Sequence, residues 1–395
     1  MTSRTKRSND RFGLHSDYPL CLPLRSLFIL KIMHSRTLIK NAILVNEGQQ
    51  SIGSLVIDGD RIEEILLGAD AMPQLPPDTV IDAEGCYLLP GVIDEHVHFR
   101  DPGLTAKGDF YTESRAAAAG GVTTVIDMPN TIPPTVTKER LLQKIEIAKQ
   151  QSLVNFGFFL GATPANAARL KKVDPRLVAG IKLFMGSSTG ELQVEDRPTL
   201  RTIFEQSQLP IMVHCEDTPM ITAKMKAYKE KYGADPHVRY HAEIRPSEAC
   251  VKSTKEAIAL AREFNVKLHV AHITTAAELD LFDPNDKQIT AEACLPHLIF
   301  ASEDYERLGA RIKCNPAVKY DTDRAAIRAA LTDGRIRTIG TDHAPHRISD
   351  KIGGAAKATS GMPFVQFSLV SMLDLVDEGV LPIERMVELM CHNPA

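Results

Sequence analysis

The sequence predicts an α/β protein built on a (β/α)8 barrel, preceded by a small β module. Eight apolar, β-branched runs follow residue 90 and alternate with helical or mixed stretches, which is typical of a parallel sheet with crossover connections. Eight such units over roughly 250 residues have the size of a barrel of this kind. Polar residues recur at the carboxyl ends of the runs, which converge on one mouth in a barrel. An open doubly wound sheet is the alternative, but no glycine-rich phosphate-binding turn follows the first run.

Composition limits the function classes. The chain has 395 residues, 46 Lys and Arg against 50 Asp and Glu, and 44% hydrophobic residues. These proportions are those of an ordinary globular protein and exclude a disordered chain, a coiled coil and a disulfide miniprotein. The near balance of charge gives no electrostatic reason to expect nucleic acid or a membrane as a partner. A small-molecule substrate is the partner we expect.

The cysteines predict a reducing compartment. Their number is odd, they are widely scattered, and none forms a CxxC pair. This pattern indicates reduced thiols in a cytoplasmic protein rather than a disulfide framework. The seven are Cys21, Cys86, Cys215, Cys250, Cys294, Cys314 and Cys391.

The first 33 residues are predicted to be an unstructured extension. A polar, basic stretch precedes an apolar run that ends near Met33, which is the outline of a signal peptide. Arg25 and Lys31 interrupt the run, it is too short to span a bilayer, and no small-x-small cleavage site follows. Met33 is an alternative start, because strand-like patterning begins just after it.

Two structural parts are expected after the extension. Residues 34–90 show short alternating segments separated by Gly-Asp and Glu-Gly turns, which predict a small antiparallel module, the N-terminal part of a β-sandwich. Residues 91–395 are assigned to the barrel, with clear helix patterns in KERLLQKIEIAKQQ and SEACVKSTKEAIALAREF. The eight predicted strands lie in GVIDEHVHF, VTTVIDMPN, VNFGFFLGA, VAGIKLFMG, LPIMVHCED, VKLHVAHIT, QITAEACLPH and IRTIGTDHAP.

Histidines and one aspartate at the strand ends suggest metal binding. His96 and His98 are two residues apart on the first strand, so both imidazoles face one point. Asp342 ends the eighth strand, beside the first in a closed barrel, and His214 and His272 end the neighbouring fifth and sixth strands. Taken singly, each has a plainer explanation as a packed core histidine, a turn former or a helix N-cap. His269 lies three residues before His272, and this odd spacing predicts that it packs against a helix on the opposite face.

Lys182 lies inside the apolar fourth strand, where an uncompensated ammonium is costly. A snorkelling or paired lysine is the plainer explanation. The functional one is that a buried lysine readily loses its charge, and a neutral amine can take up carbon dioxide to form a carbamate. The two oxygens of such a carbamate could bridge two cations.

The order of these residues along the strands resembles that of the amidohydrolase superfamily, and within it the cyclic amidohydrolases with a binuclear zinc centre. The resemblance covers residues 37–395. More narrowly, the chain is similar to the class I dihydroorotases. It shares with them the motifs HVHFRDPGLTAKGD, AAAAGGVTTVIDMPNT, KLFMGSSTG, VHCED and TDHAPH.

The resemblance implies two Zn²⁺ ions per chain. One would be held by His96, His98 and Asp342 and the other by His214 and His272, with carboxylated Lys182 bridging the pair. Two such metals can share a hydroxide and polarise a carbonyl oxygen. Asp342 would act as the general base and then as the general acid. The reaction implied is the interconversion of N-carbamoyl-L-aspartate and L-dihydroorotate in pyrimidine biosynthesis.

A second set of residues would choose the substrate. Arg100 lies two residues past His98 and is suited to a bidentate grip on a carboxylate, although a salt bridge to Asp101 or Asp109 is its plainer role. The resemblance implies that Arg100 and two further residues hold the carboxylate of dihydroorotate, and that three more positions contact its ring. These are Asn130 and His346 for the carboxylate, and Asn315, Ser360 and Gly361 for the ring. We expect His343 to support its loop. We expect His297 to orient a metal ligand.

The resemblance has limits. Relatives continue past the NPA motif into strands that complete the small module, whereas this sequence ends at Ala395. We therefore expect the module to lack its C-terminal strands and to have exposed edges. A homodimer and association with aspartate carbamoyltransferase are the expected protein partners. A hydantoinase or allantoinase, and a non-catalytic scaffold subunit, are the alternatives to dihydroorotase.

Overall fold

The computed structural model describes residues 35–69, 71–186 and 192–395, and the predicted extension 1–33 lies outside these ranges. The described chain divides into two compact units. The first comprises residues up to Leu44 and Ser51–Leu88, and the second comprises Val45–Gln50 and Leu89–Ala395. None of the helices in the described ranges has both the length and the apolarity needed to cross a bilayer.

The first unit contains most of one five-stranded sheet. Its strands are β1 (Arg36–Asn46), β2 (Gln49–Asp58), β3 (Arg61–Leu67), β4 (Thr79–Asp82) and β5 (Tyr87–Leu88). The order is β3-β2-β1-β4, with β5 also paired to β1. The expectation of an antiparallel module is wrong, because β4 and β5 both run parallel to β1 while β2 and β3 are antiparallel. The stretch between β3 and β4 gives the chain room for the crossover that parallel pairing needs. The β-sandwich stays a prediction.

The second unit confirms the predicted (β/α)8 barrel. Eight parallel strands are hydrogen-bonded in chain order, and the short β10 is added beside the fourth of them. The strands are β6 (Val92–Val97), β7 (Val122–Asp127), β8 (Asn155–Gly161), β9 (Gly180–Met185), β10 (Gln193–Val194), β11 (Ile211–Cys215), β12 (Leu268–Val270), β13 (Ile289–Cys294) and β14 (Thr338–Gly340).

Helices lie between the strands of the barrel. The two helix patterns singled out in the sequence are observed with the predicted bounds, as the second and sixth of the following set. The helices are α1 (Phe110–Ala119), α2 (Lys138–Gln151), α3 (Arg197–Gln206), α4 (Thr218–Tyr232), α5 (His241–Ile244), α6 (Ser247–Phe264), α7 (Ala276–Leu279), α8 (Leu295–Ile299), α9 (Tyr305–Leu308), α10 (Asp321–Asp333), α11 (Ser368–Asp377) and α12 (Ile383–Val387).

Helix starts follow from capping residues. The side chain of Asp109 accepts a hydrogen bond from the backbone N–H of Thr112 and begins α1, and Thr137 caps α2 in the same way. At the other end of α6, Asn265 adopts a left-handed conformation with φ 53° that stops the helix. The loops that follow the strands are thereby held by well-defined helix ends.

Backbone and buried polar contacts close the barrel between β6 and β14. The N–H of His98 donates to His343 O at 2.8 Å, and the N–H of His343 donates to His96 O at 3.2 Å. Below them the buried carboxylate of Asp94 accepts hydrogen bonds from the backbone N–H and the hydroxyl of Thr341. The first and last strands are therefore joined beside the residues predicted to bind metal.

Two of the central barrel strands are buried on both faces, as the sequence predicted. Every residue of β9 and β11 is buried, and these strands include Lys182 and His214. Close packing of this kind leaves a side chain no freedom to turn toward solvent. The few polar groups among the strands are therefore fixed in place by their neighbours.

Candidate active site

The first predicted metal group is assembled at the mouth of the barrel. His98 Nε2 lies 2.9 Å from Asp342 Oδ1, and His96 Nε2 lies 3.4 Å from the same oxygen. One ligand atom from each of these residues lies within 4.8 Å of the others. Both Asp342 and Arg100 have positive φ, 47° and 67°, so the chain turns sharply where the two strands end.

The second predicted group lies on the adjoining strands. His214 Nδ1 and His272 Nε2 are 3.0 Å apart, and the ring centroids of His96 and His272 are separated by 5.4 Å. Burial lowers the pKa of His98, His214 and His272, so these imidazoles are neutral and have a lone pair available. The two groups are adjacent parts of one cluster.

Lys182, on β9, lines the same small pocket as the two groups of histidines. Its side chain is fully buried, and its Nζ has no hydrogen-bond partner among the described residues. Burial lowers the pKa of this amine, although the carboxylates of Glu292 and Asp342 oppose the shift. A buried nitrogen without a partner costs free energy unless something else satisfies it.

Two buried carboxylates contact histidines that are predicted to bind metal, and neither carboxylate was among the residues predicted from the sequence. Glu292 on β13 accepts from His96 Nδ1 at 2.8 Å, and Glu216 accepts from His214 Nε2 at 3.1 Å. Arg245 is bound to Glu216, which keeps the pKa of that buried carboxyl well below its usual range against the effect of burial. The available signal was a charged residue inside or just after an apolar strand, the same signal that drew attention to Lys182.

The predicted substrate residues are in the same region. Asn130 Oδ1 accepts from His98 Nδ1 at 2.7 Å, so this amide contacts a predicted metal ligand. Arg100 is buried and donates from Nε to Pro345 O at 3.2 Å, while its Nη2 lies 3.2 Å from His346 Nε2. Neither Asp101 nor Asp109 forms an ion pair with it among the described residues, contrary to the plainer expectation for Arg100.

A buried ion pair supports the segment that carries Arg100. Asp127, at the end of β7, accepts from the backbone N–H of Phe99 at 2.7 Å and is paired with the buried Lys144 of α2. Lys144 also donates to Met128 O at 2.7 Å. The peptide between His98 and Arg100 is thus anchored to the neighbouring strand and helix.

Two connected spaces contain the predicted site residues. A small pocket of about 40 Å³ is lined by the six predicted ligands and by five of the six predicted substrate residues. His346 lines the larger cavity of about 660 Å³, which shares Arg100, Asn130, Asn315 and Ser360 with the small pocket. The structure therefore brings all twelve residues into one region, and their individual roles stay predictions.

Two other histidines, His343 and His297, lie outside the set of predicted site residues. His343 contacts Glu113 at 2.7 Å and accepts from the N–H of Val365, so it ties loops together. His297 lies 3.0 Å from Pro316 O and, among the described contacts, touches no predicted ligand.

His269 does not pack against a helix, and that expectation is wrong. It lies inside the barrel, where its ring contacts Glu95 at 3.1 Å and Thr290 at 2.8 Å, side chains of β6 and β13. The odd spacing from His272 misled the prediction because β12 ends at Val270 and His272 has φ 40°, which breaks the strand alternation.

Comparisons with known proteins agree with this architecture. Residues 87–395 match the model of the amidohydrolase family. A dihydroorotase from Methanosarcina mazei is 34% identical over 90% of this chain and 79% of its own length. An L-hydantoinase from Paenarthrobacter aurescens is 32% identical over 91% and 80%, respectively. The solved structure of the L-hydantoinase from Arthrobacter aurescens matches with a TM-score of 0.84 at 29% identity, over 91% of this chain and 81% of that one.

Proposed function

Because the chain belongs to the amidohydrolase family and is a cyclic amide hydrolase, we propose that it is a zinc-dependent dihydroorotase. It would interconvert N-carbamoyl-L-aspartate and L-dihydroorotate in de novo pyrimidine biosynthesis. The observation that carries the proposal is the buried guanidinium of Arg100 in the wall shared by the two pockets. A buried guanidinium without an ion-pair partner among the described residues suits a substrate carboxylate. Dihydroorotate has a carboxylate, whereas hydantoin and allantoin do not.

The side chains at the barrel mouth fit two divalent cations. His96, His98 and Asp342 offer two imidazole nitrogens and a carboxylate close together, a donor set that suits zinc. His214 Nδ1 and His272 Nε2 face each other, and a cation would replace the proton that one of these nitrogens must carry at 3.0 Å. When bound, the ions would polarise the amide carbonyl and favour ionisation of the attacking water.

Lys182 is the proposed bridge between the two ions. The lack of a hydrogen-bond partner for its buried Nζ supports the proposal, because carboxylation would turn that nitrogen into part of an anionic, bidentate group. The same burial lowers the pKa of the amine, which favours the neutral form that reacts with carbon dioxide.

Asp342 is the proposed proton carrier. Burial alone would raise its pKa, but His96 and His98 hold the pKa of this carboxyl well below the usual range. Asp342 is thus ionised at neutral pH and able to accept a proton from the attacking water. It would then deliver that proton to the departing ring nitrogen.

Arg100, Asn130 and His346 would bind the substrate carboxylate. Arg100 supplies charge, and the amide of Asn130 supplies N–H donors, since its oxygen already accepts from His98. Burial together with the charge of Arg100 lowers the pKa of His346 to about 3, so this ring is neutral and would offer the carboxylate the Nε2–H that Ser360 O accepts in this structure.

Hydantoinase or allantoinase activity is the second candidate. It is favoured by the fold match to an L-hydantoinase and by an allantoinase from Bacillus velezensis that is 30% identical over 91% of this chain and 80% of its own length. Such an enzyme would use the same cations with a different set of pocket contacts. It would not depend on Arg100.

The deciding experiment is hydrolysis of L-dihydroorotate, followed by ultraviolet absorbance, with hydantoin and allantoin as parallel substrates. The protein is purified and supplied with zinc and bicarbonate, and its folding is checked by circular dichroism. We expect turnover of dihydroorotate alone. Turnover of hydantoin or allantoin without dihydroorotate, by folded and metal-loaded protein, would overturn the proposal in favour of the second candidate.

The cytoplasmic location, a homodimer and association with aspartate carbamoyltransferase are further parts of the proposal. They rest on the resemblance to class I dihydroorotases and on the cysteine pattern. Sedimentation velocity of the protein alone, and then mixed with the aspartate carbamoyltransferase of the same organism, tests the two assemblies.

A further inference from the structure

Lys351 binds three backbone carbonyl oxygens behind the substrate-side wall. It ends the short 3-10 turn Ile348–Lys351, and its side chain is half-buried. An ammonium group has three N–H donors. Each of them is used, because Nζ lies 2.9, 2.9 and 2.8 Å from the carbonyl oxygens of Lys313, Thr359 and Gly361.

These carbonyls belong to two segments that carry predicted substrate residues. Asn315 follows Lys313 on one segment, and Ser360 lies between Thr359 and Gly361 on the other. The segments also contact each other directly, since the N–H of Gly361 donates to Lys313 O at 2.9 Å. Lys351 therefore fastens both segments at the point where they meet.

The fastened segment reaches the substrate site through Ser360. Its hydroxyl donates to Asn315 Oδ1 at 3.1 Å, and its carbonyl oxygen accepts from His346 Nε2 at 2.9 Å. His346 Nε2 is in turn 3.2 Å from Arg100 Nη2. A chain of contacts thus links Lys351, which does not line either pocket, to the proposed carboxylate site.

The segment is closely packed and brings several carbonyl oxygens together. Gly361 has φ 136°, which side-chain-bearing residues rarely adopt, and a Cβ at this position would lie 2.6 Å from Ala344 O. Three carbonyl oxygens directed at one point repel one another unless a cation lies between them. The ammonium of Lys351 supplies that cation.

We propose that Lys351 is a positioning residue that holds Ser360 and Asn315 against the substrate ring and so acts on substrate binding. The inference rests on the proposed function for the identity of the substrate only. Because Lys351 contacts neither the predicted metal ligands nor Asp342 among the described contacts, its loss should affect KM far more than kcat.

The first test replaces the ammonium with an apolar chain of similar length. In Lys351→Met we expect KM for L-dihydroorotate to rise about 10-fold or more, with kcat within about 3-fold of wild type and an unchanged zinc content. Lys351→Arg retains a cation with several N–H donors, so its KM should lie between those of wild type and Lys351→Met. Lys226→Met is the matched control, because Lys226 is 79% exposed and its ion-pair partner Glu230 is 4.0 Å away.

Chemical rescue separates positioning from general stability. Lys351→Ala removes the part of the side chain that propylammonium can replace, so added propylammonium should lower KM toward the wild-type value. Tetramethylammonium has the same charge but no N–H donor and should not. Rescue of this kind cannot arise from a fold that is merely destabilised, and it keeps the proposal testable if Lys351→Met does not fold.

A failure of the role proposed for Lys351 can be told apart from a failure of the proposed function. Unchanged KM in Lys351→Met, a parallel fall of kcat and zinc content, or no rescue by propylammonium would overturn the role of Lys351. If the wild type hydrolyses hydantoin instead of dihydroorotate, the proposed function fails. The KM and rescue measurements are then made on hydantoin and still test Lys351.

Discussion

Glu292 and His96 form a buried pair, with His96 Nδ1 2.8 Å from Glu292 Oε2 and neither side chain accessible to solvent. The same carboxylate oxygen accepts from the backbone N–H of His272 at 2.8 Å. A single carboxylate therefore orients one predicted ligand of the first metal group and the chain at a ligand of the second. Outer carboxylates of this kind fix the tautomer and increase the basicity of a ligating histidine.

Glu292→Gln should weaken zinc binding by about 10- to 100-fold, because the neutral amide cannot supply the same charge to His96. The measurement is zinc retained after dialysis against zinc buffers of known free concentration. Glu230→Gln, on an exposed position of α4, is the control. Wild-type zinc affinity in Glu292→Gln would show that the pair is structural only.

Lys182→Ala should leave fewer than two zinc ions per chain and abolish activity, because the proposed bridging carbamate is lost. Short carboxylic acids such as acetate or propionate, added at high concentration, should restore part of both by occupying the space of the carbamate. Zinc analysis by mass spectrometry and the dihydroorotate assay are the measurements. Two zinc ions and full activity in the variant would exclude Lys182 as the bridge.

Arg100→Met should raise KM for dihydroorotate by about 30- to 160-fold, since a charge-assisted hydrogen bond contributes roughly 2–3 kcal/mol. The effect on kcat should be much smaller, and zinc content should not change. Arg169→Met, on an exposed position, provides the control for loss of a positive charge. Unaltered kinetics on dihydroorotate would remove Arg100 from the substrate site.

Lys313 should make the protein more stable as the pH rises. Burial and the charge of Arg245 lower its pKa from 10.5 to about 8, so between these values the unfolded chain binds more protons than the folded one. Stability therefore increases with pH over that interval. The melting temperature of wild type minus that of Lys313→Met should therefore rise between pH 7.5 and 9.5. If this value stays constant or falls, the pKa of Lys313 is not lowered in the folded protein.

Cys86 should be the reactive thiol among the six described cysteines. It is exposed, whereas the others are buried, and burial raises the pKa of Cys215, Cys314 and Cys391 to about 12. Because the thiolate is the nucleophile, the buried thiols should resist alkylation in the native protein. Peptide mapping after brief iodoacetamide treatment measures this, with Cys86→Ser and urea-unfolded protein as controls. Rapid modification of Cys215 would show that the barrel opens.

The barrel could be predicted from the sequence because each of its strands has a pattern that is visible over a few neighbouring residues. Apolar runs separated by helices specify a parallel sheet whatever the distant contacts are, and the two helix patterns agree with α2 and α6 residue by residue. The candidate residues at the strand ends were found for the same reason. In a barrel every strand delivers its carboxyl end to one mouth.

The direction of a side chain beyond the end of a strand could not be predicted from the sequence. His269 faces the barrel interior because β12 stops at Val270 and the backbone of His272 turns through a positive φ. The mixed sheet of the first unit was missed likewise, since the pairing of β4 and β5 with β1 depends on crossover connections.

The sequence by itself determined the (β/α)8 class, the order of the strands and the set of residues delivered to the mouth, because these follow from periodicity along a few neighbouring residues. Only the tertiary structure decided which partners those residues have. Glu292 meets His96 across 196 positions of sequence, and Lys351 gathers carbonyls from two separate segments. Such contacts exist only once the barrel has closed and burial has made every unpaired polar group costly.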